Sequence, residues 1–198
     1  MEIILATRNP SKIDQIKNIF AGSRIIVKSL VETGIVGEAI EDGLTLKDNA
    51  LLKARFAYES SGRKFWTMAD DTGIFIDVLN GEPGVKAARW AGNNATTEEI
   101  MNYCLKRLEG DRDRSATFET VVAVVSPNSN EYFFSGKVRG KLLKAPRAKF
   151  QPGMPYSGLF APEGYNQVWA EMTIEDENKI SHRGKAFREA KMFLEKQI

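Results

Sequence analysis

The 198-residue chain predicts a mixed α/β domain. Three observations carry that reading. A short apolar run, Ile3 to Thr7, leads at once into a helix start at Asn9-Pro10-Ser11, the strand-then-helix succession of an α/β fold. Two capping-box variants, Thr45-x-x-Asp48 and Thr96-x-x-Glu99, open further helices downstream. Two β-rich runs, Ala116 to Val125 and Tyr132 to Val138, are joined by Ser126-Pro127-Asn128-Ser129-Asn130, which predicts an antiparallel hairpin or meander and makes the sheet mixed.

Each element follows from local chemistry. Pro10 suits the first position of a helix, and Ile13, Ile16 and Phe20 then recur at the helical period. After the Thr45 cap, Ala50, Leu51, Ala54, Ala57 and Tyr58 make one apolar face. Phe65 to Ala69 and Ile74 to Leu79 read as two strands with Asp70-Asp71-Thr72-Gly73 between them. Beyond Thr96, the stripe Ile100, Met101, Cys104, Leu105 and Leu108 places Cys104 in the core. Ser181 caps a last helix through Ala186, Phe187, Ala190, Phe193 and Leu194. No repeat or linker divides residues 1–198, so a single domain is expected.

Composition narrows the partners. The chain is 42% hydrophobic and 27% charged, ordinary for a globular protein. A net charge of +2 without a basic block argues against a nucleic-acid polymer and leaves a small charged ligand open. One cysteine cannot form an intrachain disulfide, and no run of about 18 apolar residues offers a membrane span. Met1-Glu2 passes directly into a strand without the basic and apolar regions of a signal peptide, so a cytoplasmic setting is expected.

Charge placement points to chemistry. Asp70 and Asp71 are adjacent carboxylates at the end of an apolar run, where ionised groups are costly unless paired or bound to a cation. Mg²⁺ suits such oxygen ligands when a substrate phosphate completes its shell. The same four residues are also good turn chemistry, and both readings stand at this point. Lys12 falls in the first turn of the first helix, and His182-Arg183 in the first turn of the last. The helix dipole disfavours cations at both places by about 0.3 to 1 kcal/mol, unless an anion is bound there. Glu41 and Asp42 form a second acidic pair before the Thr45 cap, and Lys53 projects from the following helix as either a phosphate contact or an ordinary exposed lysine.

Six blocks bring these features together: Leu5 to Lys12, Asn49 to Ala54, Ala69 to Gly73, Gly81 to Gly84, Ala88 to Gly92 and Ile180 to Gly184. In order and spacing they resemble the inosine triphosphate pyrophosphatase family across nearly the whole chain. The resemblance implies a long twisted mixed sheet flanked by helices, two lobes with a nucleotide cleft between them, a homodimer and Mg²⁺ as cofactor. It implies hydrolysis of ITP, dITP and XTP to the monophosphate and pyrophosphate. By position, Thr7, Asn9 and Lys12 match its phosphate-gripping element, with Arg8 and Ser11 inside that element, and Lys53 matches a second phosphate-binding lysine. Glu41 matches a metal ligand, Asp71 the carboxylate that binds metal and activates water with Thr72 beside it, and His182 and Arg183 the pair at the purine's carbonyl edge.

Two departures fall in the implied base pocket. Where the family reads Gly-Phe-Gly-Tyr-Asp-Pro, this chain has Gly153-Met154-Pro155-Tyr156-Ser157-Gly158, putting Met154, Tyr156 and Ser157 at the base. Where the family has Lys-Asn-x-Ile-Ser-His-Arg, the lysine position is Glu177. The local carboxylate is thereby moved and a cation lost. A pyrophosphatase of altered base preference, in the manner of the Maf-like proteins, and a nucleotide-binding regulator without turnover are the alternatives.

Overall fold

The computed structural model describes residues 1–198. In chain order its elements are β1 (Glu2–Leu5), α1 (Pro10–Phe20), β2 (Ile26–Ser29), α2 (Leu46–Ser60), β3 (Trp66–Ile76), β4 (Pro83–Gly84), α3 (Thr97–Arg107), β5 (Ser115–Val125), β6 (Glu131–Leu142), β7 (Phe160–Pro162), α4 (Ile174–Ile180) and α5 (His182–Glu195). One mixed sheet runs β2-β1-β3-β5-β6-β7, with β4 pairing on β3. No helix is long and apolar enough to cross a membrane.

The expected caps are present. Asn9 accepts from the Lys12 N–H with Pro10 next to it, Thr45 and Thr96 each close a capping box, and Ser181 accepts from the Gly184 N–H. The hairpin is present too, as β5 and β6 pair antiparallel from Ser115↔Lys141 to Val125↔Glu131. The segment around the two aspartates departs from expectation. Asp70-Asp71-Thr72-Gly73 is not a turn between two strands but the middle of the single strand β3, and the expected second strand ends at Ile76 before a 3-10 turn, Asp77–Leu79. The cause is tertiary: β5 offers an unbroken antiparallel partner from Thr67↔Val125 to Ile76↔Ala116, including Asp70↔Val122 and Asp71↔Val121.

Alternation along β3 then sorts its side chains by face. Ala69 packs with Ala50, Ala54 and Ala57 of α2. On the other face Met68 joins Val122, Ile16, Ala186 and Phe187, from β5, α1 and α5. Further along that face, Ile74 and Ile76 join Phe118, Ile100 and Cys104, the last two from α3. Between these two apolar clusters the same face carries Asp70, Thr72 and Thr120, a polar interruption of the core.

Close backbone approach fixes the last helix over that interruption. A Cβ built at Gly136 in β6 would overlap the His182 carbonyl oxygen at the start of α5, so only glycine lets the helix seat there. Gly136→Ala should cost about 1–3 kcal/mol, because the overlap involves two backbones that cannot swing aside. For a domain of this size that is a fall in Tm of roughly 3 to 10 °C, measured by thermal unfolding.

Candidate active site

The fold builds a crevice where β1 ends. β1 pairs in parallel with β2 on one side and β3 on the other, and the connecting helices α1 and α2 pack into clusters on opposite faces. Strand order therefore reverses at β1, and ligands of open α/β sheets bind at the carboxyl ends of strands at such a reversal. The β1–β3 pairing stops at Leu5↔Met68, while β4 takes up β3 only at Ile74. A cavity of about 340 Å³ opens beside this gap. Its lining is ionic in one part, with Lys12, Glu41, Lys53, Asp70, Asp71 and Arg183, and aromatic in another, with Phe118, Tyr156, Trp169 and His182.

Asp70 is 2% exposed. Its Oδ2 accepts from Lys12 Nζ at 2.9 Å, Arg183 Nε at 3.4 Å and the Thr72 hydroxyl at 3.2 Å. Burial alone would raise its pKa, but Lys12 and Arg183 overcome that and hold the carboxyl well below the usual range. Both cations come from first helical turns where the dipole disfavours them, so the two anomalies in the sequence share one cause. Arg183 also donates to Gln15 Oε1 at 2.7 Å. Asp70 Oδ1 has no partner.

Asp71 points to the opposite face and meets different groups. Lys53 Nζ donates to its Oδ1 at 2.8 Å and to Glu41 Oε2 at 2.8 Å, so one ammonium bridges the two acids. Asn49 donates to Asp71 Oδ2 at 3.3 Å, and its side-chain oxygen accepts from the Gly43 N–H at 2.9 Å, tying the acidic loop to the strand. Burial raises the Asp71 pKa against the pull of Lys53, making it a stronger base than a solvated aspartate. Glu41 and Asp71 already converge on one cation, so their donor set fits a divalent ion. No group of three or more His, Cys, Asp or Glu forms a protein-only metal cage. Two carboxylates plus substrate phosphate is the shell Mg²⁺ accepts.

In the aromatic part the His182 ring stacks on Phe118, 4.6 Å between centroids at 13°, with Trp169 at 6.1 Å. Burial drops the His182 pKa well below its ordinary value, so the imidazole is neutral. Glu177, 2% exposed in α4, accepts from Gln151 Nε2 at 3.1 Å, and burial pushes its pKa up. Ser181 is the single residue between α4 and α5, which fixes Glu177 relative to His182 and Arg183.

Thirteen of the fourteen residues expected at the site line the cavity: Thr7, Arg8, Asn9, Lys12, Glu41, Lys53, Asp71, Thr72, Met154, Tyr156, Ser157, His182 and Arg183. Ser11 does not; its hydroxyl donates to the Pro152 carbonyl at 3.0 Å and pins α1 to the 151–154 segment. Several of the others spend their polar atoms on the scaffold. The Thr7 hydroxyl accepts from the Asn9 N–H, Arg8 donates to the Ile35 and Gly37 carbonyls, and the Tyr156 hydroxyl donates to Ala87. Ser157 accepts from the Gln151 N–H and donates to the Met154 carbonyl, both at 2.8 Å, so it shapes the loop rather than offering its hydroxyl to the cavity. Gln15, Asn49, Phe118, Gln151 and Trp169 were not foreseen as site residues. Asn49 had a signal, because it lies four residues before Lys53 on the flank of the alanine stripe.

The profile of the Ham1 family matches residues 3–193. A dITP/XTP pyrophosphatase of Thermoanaerobacter pseudethanolicus is 42% identical over 200 residues, spanning 100% of this chain and 98% of that protein. Among solved structures, a HAM1 protein from Coxiella burnetii superposes with a TM-score of 0.85 at 33% identity, covering 99% of both chains. The Ham1 protein of Staphylococcus aureus gives a TM-score of 0.83 at 30% identity over 100% of both. A sheet with this strand reversal, matched from end to end by such relatives, makes the chain a member of the Ham1 family.

Proposed function

We propose that the chain is a Mg²⁺-dependent nucleoside triphosphate pyrophosphatase that hydrolyses non-standard purine nucleotides (ITP, dITP and XTP) to the nucleoside monophosphate and pyrophosphate. One observation carries the reading: a cavity with Lys12, Lys53, Glu41, Asp70 and Asp71 in one part and a stack of aromatic rings in another matches a metal-bound triphosphate joined to a planar base. The dITP/XTP pyrophosphatase of Thermoanaerobacter pseudethanolicus, 42% identical over the full length, supports it. The implied homodimer, the two-lobed cleft and the expected cytoplasmic setting belong to the same proposal.

The residues divide the work. Lys12 and Lys53 donate to phosphate oxygens and take up charge that develops on the leaving pyrophosphate. Asp71 orients a water and accepts its proton as the oxygen attacks the α-phosphorus and the bond to the bridging oxygen breaks. Mg²⁺ held by Glu41, Asp71 and the phosphates would supply further charge neutralisation. Phe118 and Trp169, with the neutral ring of His182, provide apolar surface for the base.

Release of pyrophosphate from ITP, dITP and XTP, measured with and without Mg²⁺, tests the assignment; release of orthophosphate alone would refute it. Asp71→Asn keeps size and removes the base, so kcat should fall by about 10²- to 10⁴-fold in the same assay. A third expectation concerns stability. His182 is neutral when folded, so below an unfolded-state pKa of about 6.5 the unfolded chain binds the extra proton and stability is lost at up to about 1.4 kcal/mol per pH unit. Between roughly pH 7.5 and 5.5 the wild-type Tm should therefore fall some 3 to 6 °C further than that of His182→Phe, as read by thermal unfolding.

A further inference from the structure

The two positions that depart from the family pattern, Ser157 and Glu177, are joined through Gln151. Ser157 Oγ accepts from the Gln151 backbone N–H at 2.8 Å, and the Gln151 side chain donates to Glu177 Oε2 at 3.1 Å. Both side chains line the cavity together with the aromatic group, and Glu177 is almost fully buried. Gln151 Oε1 is buried without a partner. This part of the cavity thus presents two hydrogen-bond acceptors, one of them a carboxylate, and a buried acceptor left unmet is costly. Of the two, Glu177 is the charged acceptor, and it lines the cavity between Gln151 and Gln15, where a donor on a ligand could meet it. Burial pushes the Glu177 pKa up, and the Gln151 side chain, the Arg183 charge and Gln15 offset part of that, so the carboxylate is the form to test above neutral pH.

Resting on the pyrophosphatase reading above, we propose that Glu177, positioned by Gln151 and Ser157, is a specificity-determining residue of this enzyme and favours neutral hypoxanthine over the xanthine anion. Hypoxanthine offers an N–H at N1 and has no charge. Xanthine loses a ring proton near neutral pH, and its anion is repelled by a buried carboxylate where a lysine would attract it. Among the deaminated purines the preference is thereby for ITP and dITP over XTP.

The test measures pyrophosphate release from ITP and XTP, in Mg²⁺ and above neutral pH, by the wild type, Glu177→Gln and Glu177→Lys. Wild type should favour ITP in kcat/KM by about tenfold or more, Glu177→Gln should narrow the ratio, and Glu177→Lys should reverse it. Titration calorimetry with IMP and XMP gives a second readout that needs no turnover: the wild type should bind IMP about tenfold more tightly, and Glu177→Gln should lose that preference. The inference is overturned if the wild type handles XTP and XMP as well as their hypoxanthine counterparts, or if neither variant moves the ratios. Failure of the wild type to release pyrophosphate from any triphosphate would instead remove the pyrophosphatase reading, and the monophosphate titrations would still decide the base preference.

Discussion

A carboxylate at the centre of a sheet needs a countercharge, and the site follows from how Asp70 obtains one. At 2% exposure it takes Lys12 from the first turn of α1 and Arg183 from the first turn of α5. Each cation bears a small unfavourable dipole contribution there, of about 0.3 to 1 kcal/mol. An unpaired buried charge would cost about 3–5 kcal/mol, so the pairing wins by a wide margin. The ion pairs thereby aim the amino ends of two helices from opposite ends of the chain at one point on β3.

The neighbouring acid is handled separately because strand geometry sends it the other way. Asp71 faces α2, where Lys53 and Asn49 meet it and connect it to the loop of Glu41 and Gly43. Two like charges that would repel as neighbours are each neutralised on their own face of the sheet. The result is an unequal pair. Asp70 is locked below the ordinary carboxylate range by its two cations, while burial holds Asp71 above it.

The gap beside β3 makes these groups reachable. If β1 continued past Met68, the edge of β3 at the aspartates would be covered by another strand; the stop at Leu5 and the late arrival of β4 leave room for a ligand. The aromatic part of the same cavity comes from the distant segments that carry Phe118, Tyr156 and Trp169, held together by edge and stacked ring contacts. The ionic and aromatic parts of the cavity thus rest on separate groups of residues, and under the proposed function the second can change while the first is kept. The exchange at Ser157 and Glu177 is a change of that kind.

Local chemistry was enough to determine much of this protein. Caps at Asn9, Thr45, Thr96 and Ser181, the helical stripes behind them and the β5–β6 hairpin depend on residues within a few positions of one another, and all are present. The motif residues around Thr7, Lys53, Asp71 and His182 were legible for the same reason, as short blocks in order. Tertiary structure decided the rest. Asp70 to Gly73 has the composition of a turn, and only the pairing with β5 makes it strand. Lys12 and Arg183 lie 171 positions apart, and nothing in the spacing says that they share Asp70. Ser157 and Glu177 looked like independent substitutions until Gln151 linked them. Such contacts arise between groups distant along the chain, and their geometry is set by the sheet that brings them together.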